Sequence, residues 1–67
     1  MKSIIKIINM DSQEDSKKIQ EVIIHNAGVI ASQTSLNKKE VTIVYDDLSV
    51  DIEKIIETLE DLGYVVI

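Results

Sequence analysis

Val50-Asp51-Ile52-Glu53-Lys54-Ile55-Ile56-Glu57-Thr58-Leu59-Glu60-Asp61-Leu62-Gly63-Tyr64-Val65-Val66-Ile67 changes its hydrophobic period at the glycine. Ahead of Gly63, the residues Ile52, Ile55, Ile56, Leu59 and Leu62 recur at three- and four-residue spacing. That is the apolar stripe of an amphipathic helix, expected over Val50 to Leu62. Behind it, Tyr64 to Ile67 is a short apolar run that reads as a strand. An earlier stretch repeats the arrangement. Ile19, Val22, Ile23 and Ala27 form the stripe of a helix expected from Ser12 to Asn26. Gly28 is placed to stop it, and Val29 to Leu36 follows as a strand.

The rest of the chain completes the pattern. Ser3 to Ile8 is rich in β-branched residues and too short for a helix, so it reads as a first strand. Asn37-Lys38-Lys39 is a polar turn. In Glu40 to Tyr45, the residues Val41, Ile43 and Tyr45 alternate with Thr42 and Val44, as in a half-buried strand. Asp46 to Ser49 is a loop. Strand, helix, strand, strand, helix, strand is a pair of split β-α-β units. The fold class is therefore α+β, a ferredoxin-like β-α-β-β-α-β sandwich, with two helices on one face of a four-stranded antiparallel sheet. Residues 1–67 make one domain, and with 45% hydrophobic residues but 3% aromatics its core is aliphatic.

Composition narrows the chemistry. With no cysteine there is no disulfide framework and no cysteine-ligated zinc or iron–sulfur site. A net charge of −5 opposes nucleic acid and an anionic membrane surface alike. The apolar run Ile4 to Ile8 is broken by Lys6 and is too short for a signal-peptide core. A soluble cytoplasmic protein is expected. No nucleophile–base pair, glycine-rich phosphate loop or paired carboxylates stand out, so an enzyme is not expected.

Several marks together resemble the heavy-metal-associated domain family, of the copper-chaperone and metal-ATPase N-terminal type. They are Met10 after the first strand, Gly28-Val29, Val41-Thr42-Ile43 leading to Tyr45-Asp46, and Glu60-Asp61-x-Gly63-Tyr64. The resemblance covers nearly the whole chain and implies a metal loop of the form Met-x-Cys-x-x-Cys between strand one and helix one. Here the thiol positions hold Ser12 and Asp15, and the usual glycine before the methionine is Asn9. A soft ion such as Cu(I) prefers sulfur, whereas Ser and Asp offer hard oxygen. The family's metal ligands therefore do not carry over. The resemblance also implies that Met10 packs under the loop and that Tyr64 lies close to it. No cofactor is expected beyond a weak or vestigial metal ion. The partner it suggests is a metal transporter or another protein domain.

Two readings of the loop stay open. Asp11, Ser12, Glu14 and Asp15, with Met10 beside them, are the candidate residues for a weak metal site, where oxygen ligands suit Mg²⁺, Mn²⁺ or Ca²⁺. The same residues suit a helix start, since Asp11 with Glu14, or Ser12 with Asp15, has the spacing of a capping box. Capping accounts for every one of them. His25 near the end of helix one reads as a surface histidine, and Tyr45 and Tyr64 as half-buried core residues.

The open side of the sheet is the other candidate surface. If Ile5 and Ile7 face the helices, then Ile4 and Ile8 face outward. Val44 joins them beside Thr42, with Val65 or Ile67 from the last strand. Lys6, Gln33 and Ser35 dilute the patch. Ile4, Ile8, Val44 and Val65, with Tyr64, are the candidate residues for a partner contact or for a homo-oligomer through the sheet face. The acidic residues of helix two, Asp51, Glu53, Glu57, Glu60 and Asp61, read as a solvated face.

The expected function is a non-catalytic interaction or regulatory module related to metal chaperones and metal-ATPase N-terminal domains. The alternatives are residual metal-ion binding or transport through Asp11–Asp15 and Met10, and a small-molecule-sensing regulatory domain. RNA binding through the sheet is disfavoured because the sheet lacks stacking aromatics.

Overall fold

Side-chain alternation on β3 organises the molecule. In the computed structural model, which describes residues 1–67, β3 spans Glu40–Tyr45. Its Val41, Ile43 and Tyr45 are buried on one face, while Glu40, Thr42 and Val44 are half-buried on the other. β3 is the central strand of a three-stranded antiparallel sheet with order β1-β3-β2, where β1 is Lys2–Lys6 and β2 is Val29–Ser35. Ile4 lies opposite Thr42 and Ile5 opposite Val41, which puts Ile5 in the core and leaves Ile4 59% exposed.

Both helices supply their apolar stripes to the buried side of this sheet. α1 (Gln13–Ile24) contributes Ile19 and Ile23, and α2 (Ile52–Asp61) contributes Ile55 and Leu59. With Ile5, Ile7, Met10, Val41, Ile43, Tyr45, Val50 and Tyr64 they form one cluster of 12 buried residues. At roughly 1.5–3 kcal/mol for each fully buried aliphatic side chain, this cluster is the main stabilising feature of so short a chain. Ser16 is the one buried polar residue, and its hydroxyl is satisfied by the Thr34 hydroxyl on β2.

The expected end of α1 is corrected. α1 ends at Ile24, not at Asn26, because the Asn26 side chain caps it: Nδ2 donates to the carbonyls of Val22 at 3.0 Å and Ile23 at 3.2 Å. Ala27 therefore leaves the helical stripe and is exposed. Gly28 serves the turn into β2 instead of the helix end. Its φ is +96°, and a Cβ there would stand 2.7 Å from Cβ of Ser49. Gly63 does act as the stop expected for α2, with φ +99°. The Tyr64 N–H donates to Leu59 O at 3.1 Å and the Gly63 N–H to Glu60 O at 2.9 Å, the paired bonds of a Schellman cap.

The fourth strand expected over Tyr64 to Ile67 is reduced to a single bridge between Ile7 and Val66. The Ile8 N–H donates to Val65 O at 3.0 Å and the Ile67 N–H to Lys6 O at 3.0 Å, so the segment does lie along β1. The ladder stops because Asn9 takes over its end. Asn9 Oδ1 accepts the Val65 N–H at 2.8 Å, and its Nδ2 donates to Gly63 O at 2.9 Å. The Ile8 carbonyl, which a continued ladder would use, instead accepts from Lys39 Nζ at 3.0 Å.

Candidate functional site

The loop from Ile8 to Ser12 joins β1 to α1, and three elements converge on it: the start of α1, the β2–β3 turn and the segment after α2. Ser12 is the N-cap of α1, in extended backbone, and its Oγ accepts the Asp15 N–H at 3.1 Å. Asp15, three residues on, reaches back in turn. Its Oδ2 accepts the Asp11 N–H at 3.2 Å, one residue earlier than the usual capping-box donor. Of the two pairings open in the sequence, Ser12 with Asp15 is the one that forms.

The other oxygen of Asp15 is also engaged, since Oδ1 accepts a hydrogen bond from the Tyr64 hydroxyl at 3.0 Å. The Asp11 N–H and then the Tyr64 hydroxyl hold the Asp15 carboxyl below the usual aspartate range. Burial, followed by the neighbouring Asp15 carboxylate, pushes the Tyr64 hydroxyl above the usual tyrosine range. Asp15 is thus a carboxylate at neutral pH and Tyr64 a proton donor to it. Tyr64 is only 8% exposed, so it belongs to the core and the loop and not to the outer sheet face, which corrects its place among the expected interaction residues.

Asp11 turns the opposite way. Its Oδ1 lies 2.6 Å from Lys39 Nζ, which also donates to the Ile8 carbonyl. Lys39 has φ +55°, a left-handed conformation uncommon for a side-chain-bearing residue, and it carries the ammonium from the β2–β3 turn over the loop. Glu14 is exposed on the first turn of α1.

The candidate metal residues do not come together in one cluster. Met10 is fully buried in the core, so its thioether is withdrawn from the loop surface, a correction to its inclusion among candidate ligands. Asp11 and Asp15 are turned to a cation and to a phenol, and no group of three or more His, Cys, Asp or Glu side chains converges. The donors nearest the family's thiol positions are a hydroxyl and a carboxylate, which do not suit a soft ion. Asn9 and Lys39 carry as much of the loop's structure as the residues singled out from sequence. Asn9 is signalled only by its departure from glycine, and the left-handed Lys39 has no signal in composition or period.

On the outer face of the sheet, Ile4, Ile8 and Val65 are exposed at 59%, 45% and 46%, and Val44 is half-buried. Because Ile8 pairs with Val65 and Lys6 with Ile67 in the bridged segment, Ile4, Ile8, Val65 and Ile67 surround Lys6 on that face. His25 forms the C-cap of α1 and is exposed. No helix of the protein is long and apolar enough to cross a membrane.

The fold is shared with proteins of known structure. A CopZ metallochaperone superposes with TM-score 0.94 at 22% identity, over 100% of both chains. Oxidized MerP from Ralstonia metallidurans CH34 gives 0.90 at 15% identity, over 100% of this chain and 93% of its own. A copper binding domain from HMA7, a P-type ATPase, gives 0.88 at 23% identity, over 98% and 89%. No curated protein matches the sequence. The model of the heavy-metal-associated domain matches residues 4–65, nearly the whole chain. With a ferredoxin-like fold, the family's loop between β1 and α1 and no thiol in it, this chain belongs to the heavy-metal-associated domain family.

Proposed function

We propose that this chain is a non-catalytic interaction module of the heavy-metal-associated fold, acting by docking to another protein domain and not by carrying a thiolate-bound metal. The observation that carries this reading is the engagement of Asp15. Its two oxygens accept from Asp11 and Tyr64 while Ser12 caps its N–H, so the loop is closed by its own hydrogen bonds. Metal would have to displace those bonds and the Lys39–Asp11 ion pair to enter.

The choice of partner class is supported by one structural neighbour being a copper binding domain of a P-type ATPase. A transporter domain of that kind, met in the cytoplasm through Ile4, Ile8 and Val65, is the contact we favour. Mixing ¹⁵N-labelled chain with such an ATPase domain in excess chelator tests it. Amide shifts around Ile4, Ile8 and Val65 that persist with chelator support docking without metal. Shifts that need added metal and map to Met10–Asp15 contradict it and return the protein to metal handling.

A further inference from the structure

The largest recess in the molecule lies between the start of α1 and the end of β2. Its volume is about 400 Å³, within the roughly 300–1,000 Å³ of small-molecule sites, and Gln13, Ser16, Thr34, Ser35, Leu36 and Asn37 line it. Ser16 is its most buried wall, at 7% exposed. The residue continues the buried stripe of Ile19 and Ile23 along α1, a position where an aliphatic side chain is the ordinary choice. Its hydroxyl instead meets that of Thr34. Two hydroxyls carry two protons, and their mutual bond uses one. The other finds no acceptor within the molecule, although leaving a buried donor unpaired is costly.

The rest of the lining has the same character. Gln13 and Asn37 stand exposed at the rim, and Thr34 and Ser35 are half-buried. None of the six residues is ionisable, in a chain with 12 acidic and 7 basic residues. Five of the six carry a hydroxyl or a carboxamide, groups that both donate and accept hydrogen bonds. An anion only accepts and an ammonium ion only donates, so either would use half of this lining and find no counter-charge in it. A ligand hydroxyl does both. Several hydroxyls on one uncharged carbon frame match the lining throughout, with Leu36 beside the carbon atoms.

We propose that this recess binds a small neutral polyol, of the size and chemistry of a monosaccharide. One ligand hydroxyl accepts the spare proton of the Ser16–Thr34 pair, and others bond the Gln13 and Asn37 carboxamides. The site is distinct from the outward-facing Ile4, Ile8 and Val65, so it goes beyond docking through that face and stands whether or not the loop admits metal.

Titrating the ¹⁵N-labelled full chain with D-glucose and with myo-inositol, each to 100 mM, tests the site. Saturable amide shifts centred on Gln13, Ser16 and Thr34–Asn37 are expected with at least one of them. Ser16→Ala/Thr34→Val replaces both hydroxyls with apolar groups of similar shape, so it keeps the fold and weakens binding about tenfold or more. Gln13→Ala, at an exposed position, weakens binding without touching the core, and Gln33→Ala on the outer face leaves it unchanged. Silence with both polyols overturns the proposal, as do shifts that rise linearly or spread over the whole surface. Full affinity in the double variant overturns it too. So does equal saturation of the same amides by sodium acetate or ammonium chloride, which would assign the recess to an ion.

Discussion

Asp15 stands at a position where the resemblance to the family implies a sulfur ligand, and it is bound instead to three of the chain's own groups, the Asp11 N–H, the Ser12 hydroxyl and the Tyr64 hydroxyl. Its depressed pKa means the carboxylate stabilises the fold above the ordinary aspartate range, roughly pH 4, and that this contribution is lost as pH falls through the lowered value. For Tyr64 the sign is opposite. Its raised pKa makes the protonated hydroxyl's contribution complete below the ordinary tyrosine range, near pH ~10, and lost as pH climbs through the raised value. Tyr64→Phe therefore lowers the urea midpoint at pH 7 and lowers it less at a pH below the depressed Asp15 value, where the carboxyl is protonated. An equal drop at both values would show that the pair is not coupled. Ser12→Ala removes the N-cap acceptor and costs about 1 kcal/mol, read by chemical denaturation, while Ser12→Gly costs only a few tenths. The Lys39–Asp11 pair is half-exposed, with side chains 41% and 66% accessible, so it orients the loop more than it stabilises the fold.

At the scale of elements, the two glycines separate two uses of a left-handed backbone. Gly63→Ala meets open space and carries only the conformational cost, about 1–2 kcal/mol. Gly28→Ala adds a methyl against Ser49 and Val50 and destabilises by clearly more, which thermal or urea unfolding of the two variants will rank. Their legibility differed for the same reason. At Gly63 the apolar stripe, the glycine and the helix end coincide, so the stop was readable from pattern alone. At Gly28 the apolar spacing runs on through Ala27, and no pattern registers that the Asn26 side chain caps the helix after Ile24. β3 was readable to its ends, because strict alternation marks both faces. The closing strand was not, because its ladder is interrupted by the Asn9 side chain, which no periodicity registers.

For the whole molecule, the order of elements and the aliphatic core were legible because burial imposes period on sequence. The loop was legible as helix capping, since that rests on spacing, and the resemblance placed Tyr64 near it, but the Tyr64–Asp15 hydrogen bond and the Lys39–Asp11 ion pair link residues 49 and 28 positions apart. Such ties exist only once the fold has formed. The fold itself retains the loop position of the family, so restoring sulfur at Ser12 and Asp15 should restore affinity for a soft ion. The most direct measurement is Cu(I) binding, in competition with a chromophoric chelator, by the wild type and by the Ser12→Cys/Asp15→Cys variant. The wild type is expected to leave the chelator's copper untouched, while the variant withdraws one equivalent. A wild type that competes as well as the variant would contradict it, because the loop would then bind copper without thiols.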